Sequence, residues 1–162
     1  MLALLYGCGL RCSELRNLLI KDADLDRKQL HIRQGKGRKD RYVPLCDLLV
    51  RGIEQHIASQ HPVQWLFNGN HSEGKVVGLS ARGVQWVVRQ TRKQSGIGKE
   101  VTTHTLRHSY ATHLLEMGMD IMTLKDLLGH VDIQTTLVYL HVGHYDKKTP
   151  FSPLERLYAI TQ

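Results

Sequence analysis

Residues 102 to 140 carry three helix signals in immediate succession, and this punctuation constrains the fold more than any other feature of the chain. Thr102 or Thr103 is placed to cap a helix that runs to Met117 and is closed by Gly118. Asp120 caps a second helix to Leu128, closed by Gly129, and Asp132 caps a third through about Leu140. A side-chain oxygen at a helix start satisfies N–H groups that have no intrahelical partner. A glycine just past the end takes the left-handed conformation that other residues avoid. Leu106, Tyr110, Leu114 and Met117 supply an apolar stripe for the first of these helices.

The preceding part mixes helix with a little strand. Met1 to Leu10 reads as a helix with Leu4 and Leu5 apolar, and a second helix starts at Ser13-Glu14-Leu15 and ends near Leu19. Gln29 to Arg33 alternates, with Leu30 and Ile32 on one side, as a strand does. Gly35 to Asp40 is a turn, and Arg41 to Leu45 returns as a second strand, giving a β-hairpin with a basic, glycine-flanked tip. Leu48, Leu49, Ile53 and Ile57 are spaced for a helix from Cys46 to Ser59. Trp65-Leu66-Phe67 is expected as a short third strand. Ser80 caps a helix through about Gln94, with Val84, Val87 and Val88 inward. The order predicts an α+β fold, mostly α-helical, with a small antiparallel three-stranded sheet. No repeat, low-complexity tract or linker interrupts the chain, so residues 1–162 are taken as one domain.

Charge narrows the partners. Lys and Arg number 22 against 15 acids, a formal charge of +7 and a pI near 9.5, which favours an acidic partner such as nucleic acid. No apolar run approaches the roughly 18 residues of a membrane span, and Met1 to Tyr6 lacks the basic and small-residue flanks of a signal peptide. Cys8, Cys12 and Cys46 form neither a C-x-x-C motif nor an even set, so reduced thiols in the cytoplasm are expected rather than a disulfide framework or zinc ribbon.

Four separated segments can carry chemistry. His104 and Arg107 are three apart on a helix and share a face, where a guanidinium fork and an imidazole suit a phosphate. The hairpin tip carries Lys36, Arg38 and Lys39, with Arg41 next, and its glycines let backbone approach a phosphate closely. Arg11 sits at a helix start, with Glu14 three residues on to hold it. His130 follows the helix-ending Gly129, and Tyr139 lies on the next short helix. Taken singly, each is also what a solvated surface or an ordinary core supplies. His141 and His144 raise the thought of a metal, but no H-E-x-x-H or carboxylate-rich set accompanies them, so no metal site is expected.

Together and in this order, "LLYGCGLRCSEL", "GKGRKDRYVPL", "HTLRHSYATHLLEMG" and "LLGHVDIQTTLVYLHV" resemble the signature blocks of the tyrosine recombinase (phage integrase) family. The resemblance covers about Leu4 to Val142 and implies that family's catalytic-domain fold. It also implies a site-specific recombinase that cleaves and rejoins double-stranded DNA through a 3′-phosphotyrosine, needing neither ATP nor metal, of the Xer kind or carried by a mobile element. On this resemblance Arg11, Lys36, His104, Arg107, His130 and Tyr139 are the catalytic set, Tyr139 being the nucleophile, and Glu14 supports Arg11. Arg38, Lys39, Arg41, Arg82, Arg89 and Lys93 are expected to position the duplex through its backbone. The family's amino-terminal core-binding domain and first catalytic-domain helix have no counterpart here, and self-association into a tetrameric synapse is expected of a full-length protein. A DNA-binding module without catalysis, with Tyr139 in the core, and a type IB topoisomerase-like strand relaxer remain as other readings of the same residues.

Overall fold

Two short helices, α1 (Leu2–Gly7) and α2 (Cys12–Arg16), lead through a 3-10 turn into strands β1 (Ala23–Asp24), β2 (Gln29–Ile32) and β3 (Arg41–Pro44). Helices α3 (Asp47–Gln60), α4 (Ala81–Gln94), α5 (Thr103–Glu116), α6 (Ile121–Leu128) and α7 (Gln134–Leu137) follow, α7 continuing as a 3-10 turn over Val138–His141. This computed structural model describes residues 1–33, 40–69 and 77–141. Lys36, Arg38 and Lys39 therefore lie outside the described residues.

Cap chemistry sets the later boundaries. Thr102 Oγ1 accepts the Thr105 N–H at 3.2 Å while Thr105 Oγ1 accepts the Thr102 N–H at 3.1 Å, and α5 starts there. The Asp120 carboxylate accepts the N–H groups of Met122 and Thr123 at 3.0 and 2.9 Å, and Gly129, at φ 63°, closes α6. Ser80 Oγ accepts the Gly83 N–H and starts α4. The sheet has the order β1-β2-β3, all antiparallel, with Leu30 opposite Val43 and Ile32 opposite Arg41.

Two apolar clusters form. The larger joins Leu4 and Leu5 of α1 to Leu15 of α2, Leu30, Ile32 and Val43 of the sheet, Leu49 and Ile53 of α3, and Val84 and Val88 of α4. The smaller joins Tyr110, Ala111 and Leu115 of α5 to Leu124 and Leu128 of α6 and to Tyr139. Each fully buried Leu, Ile or Val contributes about 1.5–3 kcal/mol.

Four expectations are corrected. Trp65 makes an isolated bridge with Leu19 rather than a strand, and the third strand is Ala23–Asp24, paired with Leu30 and Gln29. A two-residue strand carries no alternation to announce it. Helix α2 stops at Arg16 because the chain then turns extended, the Leu18 carbonyl accepting the Leu66 N–H and the Ile20 N–H reaching the Gln64 carbonyl. The buried residues of α5 are Thr103, Arg107, Tyr110, Ala111, Thr112 and Leu115, whereas Met117 is 79% exposed. Arg41, expected at the DNA, points inward with Val43.

Gly9 links the clusters. It has φ +58°, a methyl group on it would lie 2.4 Å from Tyr110 Cδ1, and its carbonyl accepts from Arg107. Gly9→Ala is expected to lose about 2–5 kcal/mol, left-handed strain adding to overpacking. Gly118→Ala, at φ +90° with open space around it, is expected to lose only about 1–2 kcal/mol. Thermal unfolding of both variants followed by circular dichroism checks the ranking, and equal losses would contradict it.

Candidate active site

Helix α6 ends between the two clusters, and its last carbonyls meet three arginines. The Leu127 carbonyl accepts from Arg41 Nε at 2.7 Å. The Leu128 carbonyl accepts from Arg107 at 2.7 Å and from Arg11 at 3.3 Å, and the Gly129 carbonyl accepts from Arg11 at 3.4 Å. A helix C-terminus has unsatisfied acceptors and a partial negative charge, so it favours such cations.

Glu14 sits on the other side of the guanidiniums. As the third residue of α2 it accepts the Arg11 N–H at 2.8 Å, and its Oε1 takes the Arg11 guanidinium at 2.9 Å. Both oxygens also receive the fork of Arg41, at 2.8 and 3.0 Å. Arg107 lies 3.8 Å away and donates instead to the Gly9 carbonyl at 2.5 Å. Burial pushes the Glu14 carboxyl up, but Arg41 and then Arg11 outweigh it and bring it down to about 2. Burial, and then Arg11, lowers Arg107 to about 10, which leaves it charged at neutral pH.

Arg11, His104, Thr105, Arg107, His108, His130, Thr135 and Tyr139 line an open cleft of about 540 Å³. Five of the expected catalytic residues therefore share one cavity, and Glu14 stands behind them. Arg41 is absent from the lining: its side chain is 8% exposed and fully engaged with Glu14 and α6. Arg82, Arg89 and Lys93 are exposed on α4, away from the cleft lining, with Trp86, 59% exposed, at the helical spacing between them.

His130 turns its Nε2 toward Arg107. A guanidinium only donates, so the 3.0 Å contact of Arg107 with His130 Nε2 makes that nitrogen the acceptor. The ring hydrogen is then on Nδ1 and is donated to Thr136 Oγ1 at 2.9 Å. Burial, and then Arg107, lowers His130 to about 4, so it is neutral here and orients Arg107. The Tyr139 ring lies nearly parallel to His130, at 7° with centroids 6.4 Å apart, and tilts against His108 at 5.0 Å. His108, which is not among the residues expected at the site, also lines the cleft. Its spacing from His104, four residues on the same helix, is the signal that places it at the cleft.

The depressed Glu14 carboxyl makes stability depend on acid. It falls from 4.5 to about 2 on folding, so its contribution is present above pH 4.5 and is lost as pH drops through 2. Urea unfolding of the wild-type chain between pH 4.5 and 2 should lose about 3 kcal/mol more than that of Glu14→Gln, at about 1.36 kcal/mol for each tenfold change in proton affinity. Equal losses for the two proteins would show that Glu14 is not held ionised.

The sequence pattern of the phage integrase family matches residues 1–145. A tyrosine recombinase of Pseudothermotoga lettingae is 43% identical over 149 residues, which cover 91% of this chain and 50% of the relative. The tyrosine recombinase XerA of Thermococcus kodakarensis is 42% identical over 139 residues, 86% of this chain and 49% of the relative. The chain thus spans about half the length of these curated relatives. The crystal structure of a XerA recombinase superposes with a TM-score of 0.76 at 30% identity, covering 99% of this chain and 56% of that one. A XerH site-specific recombinase bound to its difH substrate superposes with a TM-score of 0.70 at 24% identity, covering 98% of this chain and 43% of that one. With the expected tyrosine recombinase catalytic-domain fold present, the chain belongs to the phage integrase family.

Proposed function

We propose that this chain is the catalytic part of a site-specific DNA recombinase that cleaves and rejoins strands through a 3′-phosphotyrosine. The observation that carries this reading is the shared cleft, whose lining includes Tyr139 together with Arg11, Arg107 and His104. Tyr139 Oη loses its proton, with His104 as acceptor, and attacks the scissile phosphorus. Arg11 and Arg107 hold the non-bridging oxygens as negative charge gathers on them. Lys36 delivers a proton to the departing 5′-oxygen. The bond to Tyr139 replaces the bond to that oxygen, so the ester's energy is kept for rejoining to a new 5′-hydroxyl. His130 first orients Arg107 and then faces the bound phosphate.

Double-stranded DNA is the substrate, a reading supported by the XerH recombinase, which holds its difH substrate in a pre-cleavage complex. The exposed Arg82, Arg89 and Lys93 of α4 supply backbone contacts outside the cleft. No described helix is long and apolar enough to cross a membrane. Free Cys8, Cys12 and Cys46 are consistent with a cytoplasmic protein. A full-length form pairs two sites in a tetrameric synapse.

The wild-type chain should form a denaturant-resistant covalent adduct with a nicked suicide duplex, and Tyr139→Phe should form none. An adduct that survives in Tyr139→Phe but disappears in Tyr145→Phe moves the nucleophile. Relaxation of plasmids without exchange between paired sites would favour a topoisomerase, and binding without any adduct a module that only holds DNA.

A sulfur-for-oxygen substitution at the bridging 5′ position tests Lys36. An alkoxide is about as basic as hydroxide, whose parent water has a pKa of about 15.7, whereas a thiolate, of parent pKa about 8.5, leaves without a proton. Lys36→Ala should cleave normal DNA about 10²–10⁴-fold more slowly than wild type and the sulfur strand at nearly the wild-type rate. Arg107→Ala should be slow on both. If Lys36→Ala stays slow on the sulfur strand, Lys36 binds phosphate instead, and rescue in Lys39→Ala would identify the other lysine as the acid.

A further inference from the structure

We infer that Arg41 is a positioning residue that keeps the cleft positive: it neutralises Glu14, so Glu14 can orient Arg11 without lowering the charge that Arg11 and Arg107 present. Glu14 has two tasks. Its carboxylate accepts the Arg11 N–H at the start of α2 and grips the Arg11 guanidinium at 2.9 Å. Both tasks need accepting oxygens, and the ionised carboxylate that supplies them puts a negative charge 2.9 Å from Arg11 and 3.8 Å from Arg107. Arg11, Arg107 and Glu14 alone would leave the wall of the cleft with one net positive charge.

Arg41 restores the second. Its fork covers both carboxylate oxygens at 2.8 and 3.0 Å, and its Nε takes the Leu127 carbonyl at the negative end of α6. Because its side chain is buried and absent from the cleft lining, Arg41 is placed to act on the cleft by its charge and through Glu14, not by lining it. Strand alternation explains how it gets there: Arg41 and Val43 face inward on β3, with Arg41 opposite Ile32. The charge it restores matches the reaction proposed above, on which this inference rests. Phenolate attack on a singly charged diester produces a doubly charged phosphorane, and two net positive charges balance it.

The test removes charges in pairs. Arg41→Met strips the counter-charge, Arg41→Lys keeps a charge but loses the fork, and Arg41→Met with Glu14→Gln removes both charges together. The Gln oxygen can still accept from Arg11. Two measurements on the full chain are made: the rate of adduct formation on the suicide duplex, and orthophosphate affinity followed by the ring proton signals of the cleft histidines. Arg41→Met should lose about tenfold or more in both, the scale of one unit charge a few ångströms away in a partly screened site. The double variant should return to within about threefold of wild type in phosphate affinity, and Arg41→Lys should lie between. A merely structural bolt predicts the reverse, because a second deletion cannot mend a broken contact.

A folded double variant no better than Arg41→Met overturns the inference, as does a wild-type chain that binds no orthophosphate. If Arg41→Met alone fails to fold, the double variant is compared directly with wild type and Arg41→Lys, and phosphate binding weaker than that of Arg41→Lys overturns it. The two readings separate cleanly. No adduct from wild type, with the phosphate series in the expected order, sinks the recombinase reading alone. An adduct from wild type without that order sinks the charge-balance inference alone.

Discussion

The carbonyl end of α6 is withdrawn from solvent, Leu128 fully and Leu127 and Gly129 in part, and its carbonyls face arginine side chains. Leaving such acceptors unpaired costs about 1–3 kcal/mol each, so the fold needs donors brought in from elsewhere. Arg11 arrives from the start of α2, Arg41 from β3 and Arg107 from the middle of α5. Each of these cations then needs a counter-charge or it would be more costly than the carbonyls, and Glu14 supplies the one carboxylate among them. The polar layer holds the clusters together because its members are rooted in both. Its surplus of positive charge follows from the same arrangement, since three guanidiniums serve the helix end and one carboxylate serves them.

The cleft is electrostatically strained before any ligand enters. Burial lowers both Arg107 and His130, and each cation worsens the position of its neighbours. His130 responds by staying neutral and offering a lone pair to Arg107, which fixes the guanidinium through the imidazole and the buried hydroxyl of Thr136. An arriving anion relieves the repulsion between the arginines. On the proposed reading it would meet side chains already held in place by their own hydrogen bonds, and little ordering entropy would be lost.

Much of this was open to a reader of the sequence, and the limits are instructive. Capping residues and glycines mark their helix ends through local hydrogen bonds, so Thr102, Asp120, Ser80 and Gly129 announce α4, α5 and α6 without knowledge of the partners. Five residues of the cleft, Arg11, His104, Arg107, His130 and Tyr139, were legible through three of the matching blocks, whereas Thr105, His108 and Thr135 were not. What stayed hidden depends on which face of an element turns inward. A stripe built only from apolar residues runs through Leu106 and Met117 on α5, but the true stripe is centred on Arg107, because a buried arginine with carbonyl partners counts as interior. The alternation that identifies β3 as a strand also puts Arg41 on the side of Val43, yet its charge argues for the surface. Only its partners, 27 residues away at Glu14 and 86 away at Leu127, decide the matter.

Tyr139 and the arginines are carried by pieces of unequal local stability. Arg107 stands in the second turn of a 14-residue helix, and Arg41 is clamped in the sheet. Tyr139 follows a helix of 4 residues and sits in a 3-10 turn between the exposed Val138 and Leu140. Short helices have few bonds to break, so such a segment opens at a small fraction of the global unfolding free energy. Amide exchange in it can be fast while exchange in α5 stays slow. On the reaction proposed above, the tyrosine that would attack the phosphorus is thus carried by a shorter, more weakly bonded segment than the arginines that face it.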